Sequence, residues 1–236
     1  VVKTVNNRVP VLIGTGSTVM DEVIKLTQYA EKEGADGAAV ITPYFFQFKE
    51  KALYNFFAKI ASNTSLPIYL YNFPARSGVN ISPELALKLG KNYTNIVGIK
   101  DSVGSIGHTR DLIIKTKGEL NEFTVYSGFD EYFIPNLITG GDGVVGGLTN
   151  IIPGIFSDLY KAYQDQDFNK ISNFCNQISN LMKLYDISQP FIPAIKQAVA
   201  IVRNKEINCT CKEPITDLTH TQINRIEKIL KNAEIV

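Results

Sequence analysis

Asn95-Ile96-Val97-Gly98-Ile99-Lys100-Asp101-Ser102 sets a short apolar run against a lysine, an aspartate and a serine. The run has the length and composition of a buried parallel strand. An amine at the end of such a strand is nucleophilic only when its surroundings disfavour the charged form. A second run, Leu66-Pro67-Ile68-Tyr69-Leu70-Tyr71-Asn72, reaches Tyr71 and leads into Phe73-Pro74-Ala75-Arg76-Ser77-Gly78. A lysine and a tyrosine at two strand ends point to Schiff-base chemistry, with an amine to condense with a ketone and a phenol to move protons. Taken singly, each residue more often marks where a strand meets water or packs, so the order of the surrounding units carries the argument.

Outward from these two runs, strand-like and helix-like segments alternate. Residues 11–14, 38–42, 66–72, 95–100, 123–126 and 143–147 read as strands. Between them, a helix carries Val23, Leu26 and Ala30 on one face and ends near Gly34. A second covers residues 52–61, with Leu53, Phe56, Phe57 and Ile60 at helical spacing. Ser82-Pro83-Glu84-Leu85 is a helix start, with serine as N-cap and proline at the first helical position. Residues 108–115 and 132–138 complete the alternation, and after Pro153 four helices (155–163, 168–184, 191–202 and 219–230) follow without a strand between them.

Six strand–helix units of this kind imply parallel βαβ construction. A doubly wound open sheet accommodates six strands, whereas a (β/α)8 barrel needs eight. Periodicity leaves both open. Gly14-Thr15-Gly16-Ser17 is too short for a dinucleotide fingerprint.

Composition narrows the function. Lysine and arginine (24) nearly balance aspartate and glutamate (23) in 236 residues, which gives no reason to expect nucleic acid or an anionic membrane as partner. No apolar run is long enough to span a bilayer, and Val1-Val2-Lys3-Thr4-Val5 lacks signal-peptide anatomy, so a cytoplasmic protein is expected. Cys175, Cys209 and Cys211 lack the partner ligands of a zinc site, so no metal is expected and free thiols are the simpler account.

The strand ends together resemble one family, the pyruvate-dependent class I aldolases typified by dihydrodipicolinate synthase and N-acetylneuraminate lyase. The matching pieces are Val11-Leu12-Ile13-Gly14-Thr15-Gly16-Ser17, Thr42-Pro43-Tyr44, Tyr71 to Gly78, Gly98-Ile99-Lys100-Asp101, Ser127-Gly128-Phe129-Asp130-Glu131, and Gly141-Asp142-Gly143-Val144-Val145 with Asn150. The resemblance spans nearly the whole chain. It implies a (β/α)8 TIM barrel, of which this chain carries six βα units, with extra C-terminal helices and usually a homotetramer. Residues 1–153 are then barrel units three to eight, and 154–236 the last barrel helix and the helical tail of the same domain.

Carried over by position, Lys100 is the Schiff-base lysine and Tyr71 the proton shuttle. Arg76 falls where synthases hold a second carboxylate. Gly128, Asp130 and Glu131 line the substrate, and the backbone carbonyl of Val145 lies near the pyruvyl group. No cofactor is implied beyond the covalent imine, and the partner is pyruvate or another 2-keto acid. Acids such as Asp130 and Glu131 are also favoured at a helix N-terminus, and Arg76 has the alternative of tying down its loop.

Two departures shape the expected substrate. Phe45 occupies the place of a relay tyrosine in the synthases, and Gly147 that of a substrate-contacting serine in the neuraminate lyases. The segments Ser105-Ile106-Gly107-His108, Lys115-Thr116-Lys117-Gly118, Gly140-Gly141-Asp142-Gly143 and Gln189-Pro190-Phe191 look most like the branch cleaving 2-keto-3-deoxy sugar acids. That cleavage is the expected activity. Dihydrodipicolinate synthase or neuraminate lyase activity is the alternative within the family, and a non-catalytic keto-acid-binding relative the alternative from another class. Val9-Pro10-Val11 aligns with the family's third strand, so the first two βα units and their carboxylate-binding segment are expected to be absent from this chain.

Overall fold

The computed structural model describes residues 1–236. Six parallel strands form one sheet: β1 (Leu12–Gly14), β2 (Gly37–Ile41), β3 (Ile68–Asn72), β4 (Ile96–Asp101), β5 (Thr124–Ser127) and β6 (Gly143–Val144). Their spatial order is their order in the chain. A doubly wound sheet reverses its order at a switch point, whereas a barrel adds each strand beside the last. The sequential order therefore decides for the (β/α)8 barrel class, which periodicity had left open. With right-handed crossovers it also places the connecting helices on one face.

The helices are α1 (Val2–Val5), α2 (Met20–Lys32), α3 (Glu50–Ala61), α4 (Pro74–Ser77), α5 (Pro83–Asn92), α6 (Ile106–Lys117) and α7 (Phe133–Ile138), then α8 (Pro153–Gln164), α9 (Phe168–Leu181), α10 (Ile192–Arg203) and α11 (His220–Asn232). Predicted elements fall within a few residues of these, with two differences of substance. The sixth strand pairs only over Gly143 and Val144, not to Gly147. On α2 the buried residues are Val23, Thr27 and Ala30, while Leu26 is exposed. Thr27 tolerates burial because its hydroxyl donates to the Val23 carbonyl (2.7 Å) and meets Thr15 Oγ1 (2.9 Å).

Two compact units divide after Val144: residues 1–144, with the sheet, and residues 145–236, which are helical. In the first, Ile68, Leu70, Ile99 and Val125 alternate onto one face of the sheet and meet Leu53, Phe57, Leu85 and Leu112 from the helices, all buried. Each such apolar side chain contributes roughly 1.5–3 kcal/mol on burial. Ser82 accepts from the Leu85 N–H (3.1 Å) with Pro83 at the first helical position, as the sequence predicts. In the second unit, Leu159, Leu181, Ala194, Ala198, Ile226 and Leu230 are buried, and α11 opens with a capping box between Thr219 and Gln222.

One device recurs in the first unit. Gly34-Ala35-Asp36-Gly37 and Gly140-Gly141-Asp142-Gly143 each precede a strand. Asp36 Oδ2 accepts from the Val11 N–H and Asp142 Oδ2 from the Val125 N–H, both at 2.7 Å, so each aspartate ties its strand to the start of the preceding one. Gly143 takes φ 139°, a conformation L side chains rarely adopt. The glycine-rich segment before β6 is thereby explained by architecture.

Candidate active site

Alternation along the strands decides which residues share a face. On β3, Ile68, Leu70 and Asn72 are buried, leaving Tyr69 and Tyr71 on the other face. On β4, Ile99 and Asp101 are buried, leaving Lys100 with the tyrosines. Register then aligns one row across the sheet: Ile41 with Tyr71, Tyr71 with Lys100, Lys100 with Tyr126, and Tyr126 with Gly143. Lys100 stands between two phenols on neighbouring strands.

The row is tightly arranged. Lys100 Nζ lies 4.2 Å from the centre of the Tyr71 ring. The Tyr71 ring stacks on Phe73 at 6.0 Å and 28°, and the Arg76 guanidinium carbon lies 6.0 Å from the Phe73 ring. On the far side Tyr126 and Tyr69 have ring centres 6.1 Å apart. Burial raises the Tyr126 pKa, helped by Tyr69 and Asp142, so this phenol stays protonated. At Gly98, one position below Lys100 on the same face, a Cβ would meet Tyr69 at 3.0 Å and Thr124 O at 2.7 Å; only glycine leaves this row undisturbed.

The other predicted residues are distributed less evenly. Arg76 is exposed on α4. Gly128 donates its N–H to the Asp101 carbonyl (2.7 Å), and a side chain there would collide with Ser102 Oγ. Asp130 is 1% exposed in a 3-10 turn while Glu131 beside it faces solvent, so the two acids do not form a common exposed pair. Val145 is 43% exposed and opens the second unit. Phe45 and Phe46 are exposed and meet edge to face at 4.9 Å; Phe45 holds φ 85°. At Gly147 a Cβ would press on the Tyr185 hydroxyl, which accepts the Gly147 N–H at 3.1 Å, so any side chain there requires the Tyr185 ring to shift.

The sequence reading missed the residues on the reverse face of the same strand ends. Asp101 is fully buried and accepts from Asn72 Nδ2 (2.9 Å), Thr109 Oγ1 (2.7 Å) and His108 Nδ1 (3.1 Å). The Asp101 hydrogen bond raises the His108 pKa above the ordinary imidazole value, against desolvation. Strand parity was the available signal, since Ile68, Leu70, Asn72 and Ile99, Asp101 each continue a buried face.

A parallel βα sheet wound in sequential order, with a lysine and a tyrosine side by side at adjacent strand ends, is the arrangement of a (β/α)8 barrel enzyme whose chemistry gathers at the strand C-termini. The chain belongs to the dihydrodipicolinate synthetase family, whose model matches residues 1–233. YagE of Escherichia coli K12, provisionally named a 2-dehydro-3-deoxy-D-gluconate aldolase, is 34% identical over 98% of this chain and 76% of its own length. Its crystal structure in complex with pyruvate superposes with a TM-score of 0.96 over 100% of this chain and 78% of that one. YjhH of the same organism, provisionally named a 2-dehydro-3-deoxy-D-pentonate aldolase, is 33% identical over 97% of this chain and 76% of its own. The 4-hydroxy-tetrahydrodipicolinate synthase of Methanoculleus marisnigri is 35% identical over 98% of this chain and 77% of its own. No helix is long and apolar enough to cross a membrane.

Proposed function

We propose that this protein is a carbon–carbon lyase that cleaves a 2-keto-3-deoxy sugar acid to pyruvate and an aldehyde through an imine on Lys100. The observation that carries the reading is the register pairing of Lys100 with Tyr71, which sets the amine 4.2 Å from the phenol ring. Similarity to YagE and YjhH supports the sugar-acid branch.

In this reading the neutral Lys100 amine attacks the C2 ketone to give a carbinolamine. Tyr71 passes a proton to the departing hydroxyl, and water leaves as the protonated imine forms. Tyr71 then takes the proton of the C4 hydroxyl. The C3–C4 pair flows into the C=N⁺ bond, releasing the aldehyde and leaving an enamine. Protonation at C3 and hydrolysis return pyruvate and the free lysine. The iminium is itself the electron sink, so the cycle needs no further cofactor. Arg76, Gly128, Asp130, Glu131 and Val145 stand in this proposal as substrate-binding positions. The homotetramer expected from the resemblance also belongs to it, with exposed Phe45 and Phe46 suited to contact between copies.

The choice within the family rests on Phe45, which cannot relay a proton, and on Gly147, which offers no hydroxyl where the resemblance places a serine in the neuraminate lyases. The test compares kcat/KM for cleavage of 2-keto-3-deoxy-gluconate with that for condensation of pyruvate and aspartate semialdehyde. The proposal expects cleavage to dominate; a clear preference for the semialdehyde would assign the protein to the synthases.

A further inference from the structure

The residues immediately after Tyr71 and Lys100 are Asn72 and Asp101, and they too are register partners. Because neighbours on a strand face opposite ways, both lie on the buried side, directly behind the candidate catalytic pair. There they belong to a closed ring of side chains. Asn72 Nδ2 donates to Asp101 Oδ1 and to Asn80 Oδ1, each at 2.9 Å. Asn80 Nδ2 meets His108 Nε2 at 3.3 Å, and His108 Nδ1 returns to Asp101 Oδ2 at 3.1 Å.

The proton inventory of this ring is determined by its fixed points. The Ile81 N–H donates to Asn72 Oδ1 at 2.9 Å, so the Asn72 amide cannot turn over. Its Nδ2 must then face Asp101 and Asn80, which directs the Asn80 oxygen to Asn72 and the Asn80 NH₂ to His108. A carboxylate only accepts, so His108 Nδ1 carries the hydrogen toward Asp101. The closed ring therefore holds neutral His108, with Nε2 accepting from Asn80. Protonation places an N–H against the Asn80 NH₂ and breaks that link, while turning the Asp101 contact into an ion pair. The backbone carbonyl of Ile81 is the alternative acceptor, and Asp111 adds a more distant favourable charge.

We propose that Asp101 is a positioning residue: with Asn72 it holds β3 and β4 in the register that sets Tyr71 beside Lys100, and the proton on His108 opens or closes the ring that supports this hold. Thr109 also donates to Asp101, at 2.7 Å, but lies outside the ring. The inference rests on the reading of Lys100 as the imine-forming lysine.

The test measures the rate at which pyruvate and cyanoborohydride modify Lys100 across pH in the full chain. The unsubstituted protein is compared with Asp101→Asn, His108→Gln and Thr109→Val. Asp101→Asn is expected to slow trapping roughly 10- to 100-fold, the cost of a displaced reacting group, with little change in the half-saturating pyruvate concentration. His108→Gln is expected to remove the inflection that His108 adds to the rate between about pH 6 and 8, leaving only the smooth pH dependence of imine formation and reduction. Thr109→Val removes one bond to Asp101 but leaves the ring intact, so it is expected to lower the unfolding midpoint while keeping the His108-dependent inflection in the trapping rate. If Asp101→Asn does not fold, the contrast between His108→Gln and Thr109→Val decides. Trapping that falls in step with stability in all variants, or that is unchanged in both Asp101→Asn and His108→Gln, overturns the inference while the lysine reading stands. No adduct at Lys100 in the unsubstituted protein overturns both.

Discussion

Tyr71 and Lys100 are register partners on adjacent parallel strands, and the lysine amine stands 4.2 Å from the centre of the tyrosine ring. Their geometry is set by the backbone ladder, by strand parity and by the Asn72–Asp101 hydrogen bond behind them rather than by a flexible loop, which limits how far either can stray. Proton transfer between a phenol and intermediates on the amine needs such an arrangement.

Tyr71→Phe keeps the ring and its stacking on Phe73 but removes the hydroxyl. Loss of a positioned proton carrier is expected to lower kcat about 10²–10⁴-fold. Steady-state kinetics of aldol cleavage, with circular dichroism to confirm folding, check this. Unchanged kcat would assign the shuttle elsewhere, with Tyr126 on the other flank of Lys100 the next candidate.

Gly128→Ala is expected to destabilise the fold by about 1–3 kcal/mol, the range for overpacking. The added Cβ collides with Ser102 Oγ and would also meet Ser102 Cβ at 2.7 Å. Denaturant midpoints of Gly128→Ala alone and with Ser102→Gly measure it. The double variant should recover part of the loss.

His108 couples stability to pH with a definite sign. Its folded pKa is raised, first by the Asp101 hydrogen bond, so its contribution is fully present below the ordinary imidazole value of about 6.5. That contribution is lost as pH rises through the folded value. Unfolding midpoints should fall over this window in the unsubstituted protein and fall less in His108→Gln. An NMR titration of the His108 ring gives the folded value directly.

Asp142→Ala removes the acceptor of the Val125 N–H and the Lys117 ion pair together. A loss of about 1–3 kcal/mol is expected, most of it from the orphaned amide, because the ion pair is partly exposed. Lys117→Ala should cost much less, and thermal unfolding of the two variants separates the contributions.

The strands were legible because buried parallel strands read as short apolar runs, and residues 95–100 or 66–72 could hardly be anything else. Their order in space was not, since apolar periodicity carries no information about which strand lies beside which. The inward face of α2 was read one residue off because Leu26 is the more apolar choice; the hydrogen bonds that make Thr27 acceptable inside are formed only in the fold. Lys100 and Tyr71 were found from their places at strand ends. Asp101 and Asn72 were given no role in the sequence reading, although strand parity places them on the buried face. Asp130 and Glu131, adjacent in sequence, differ in exposure because the 3-10 turn directs them apart.

The central claim is that Lys100 carries the imine. Incubation of the protein with pyruvate and borohydride, followed by peptide mass mapping, tests it most directly. The account predicts a reduced pyruvyl adduct on the peptide containing Lys100 and its loss in Lys100→Ala. An adduct on another lysine, or undiminished labelling in Lys100→Ala, would contradict it.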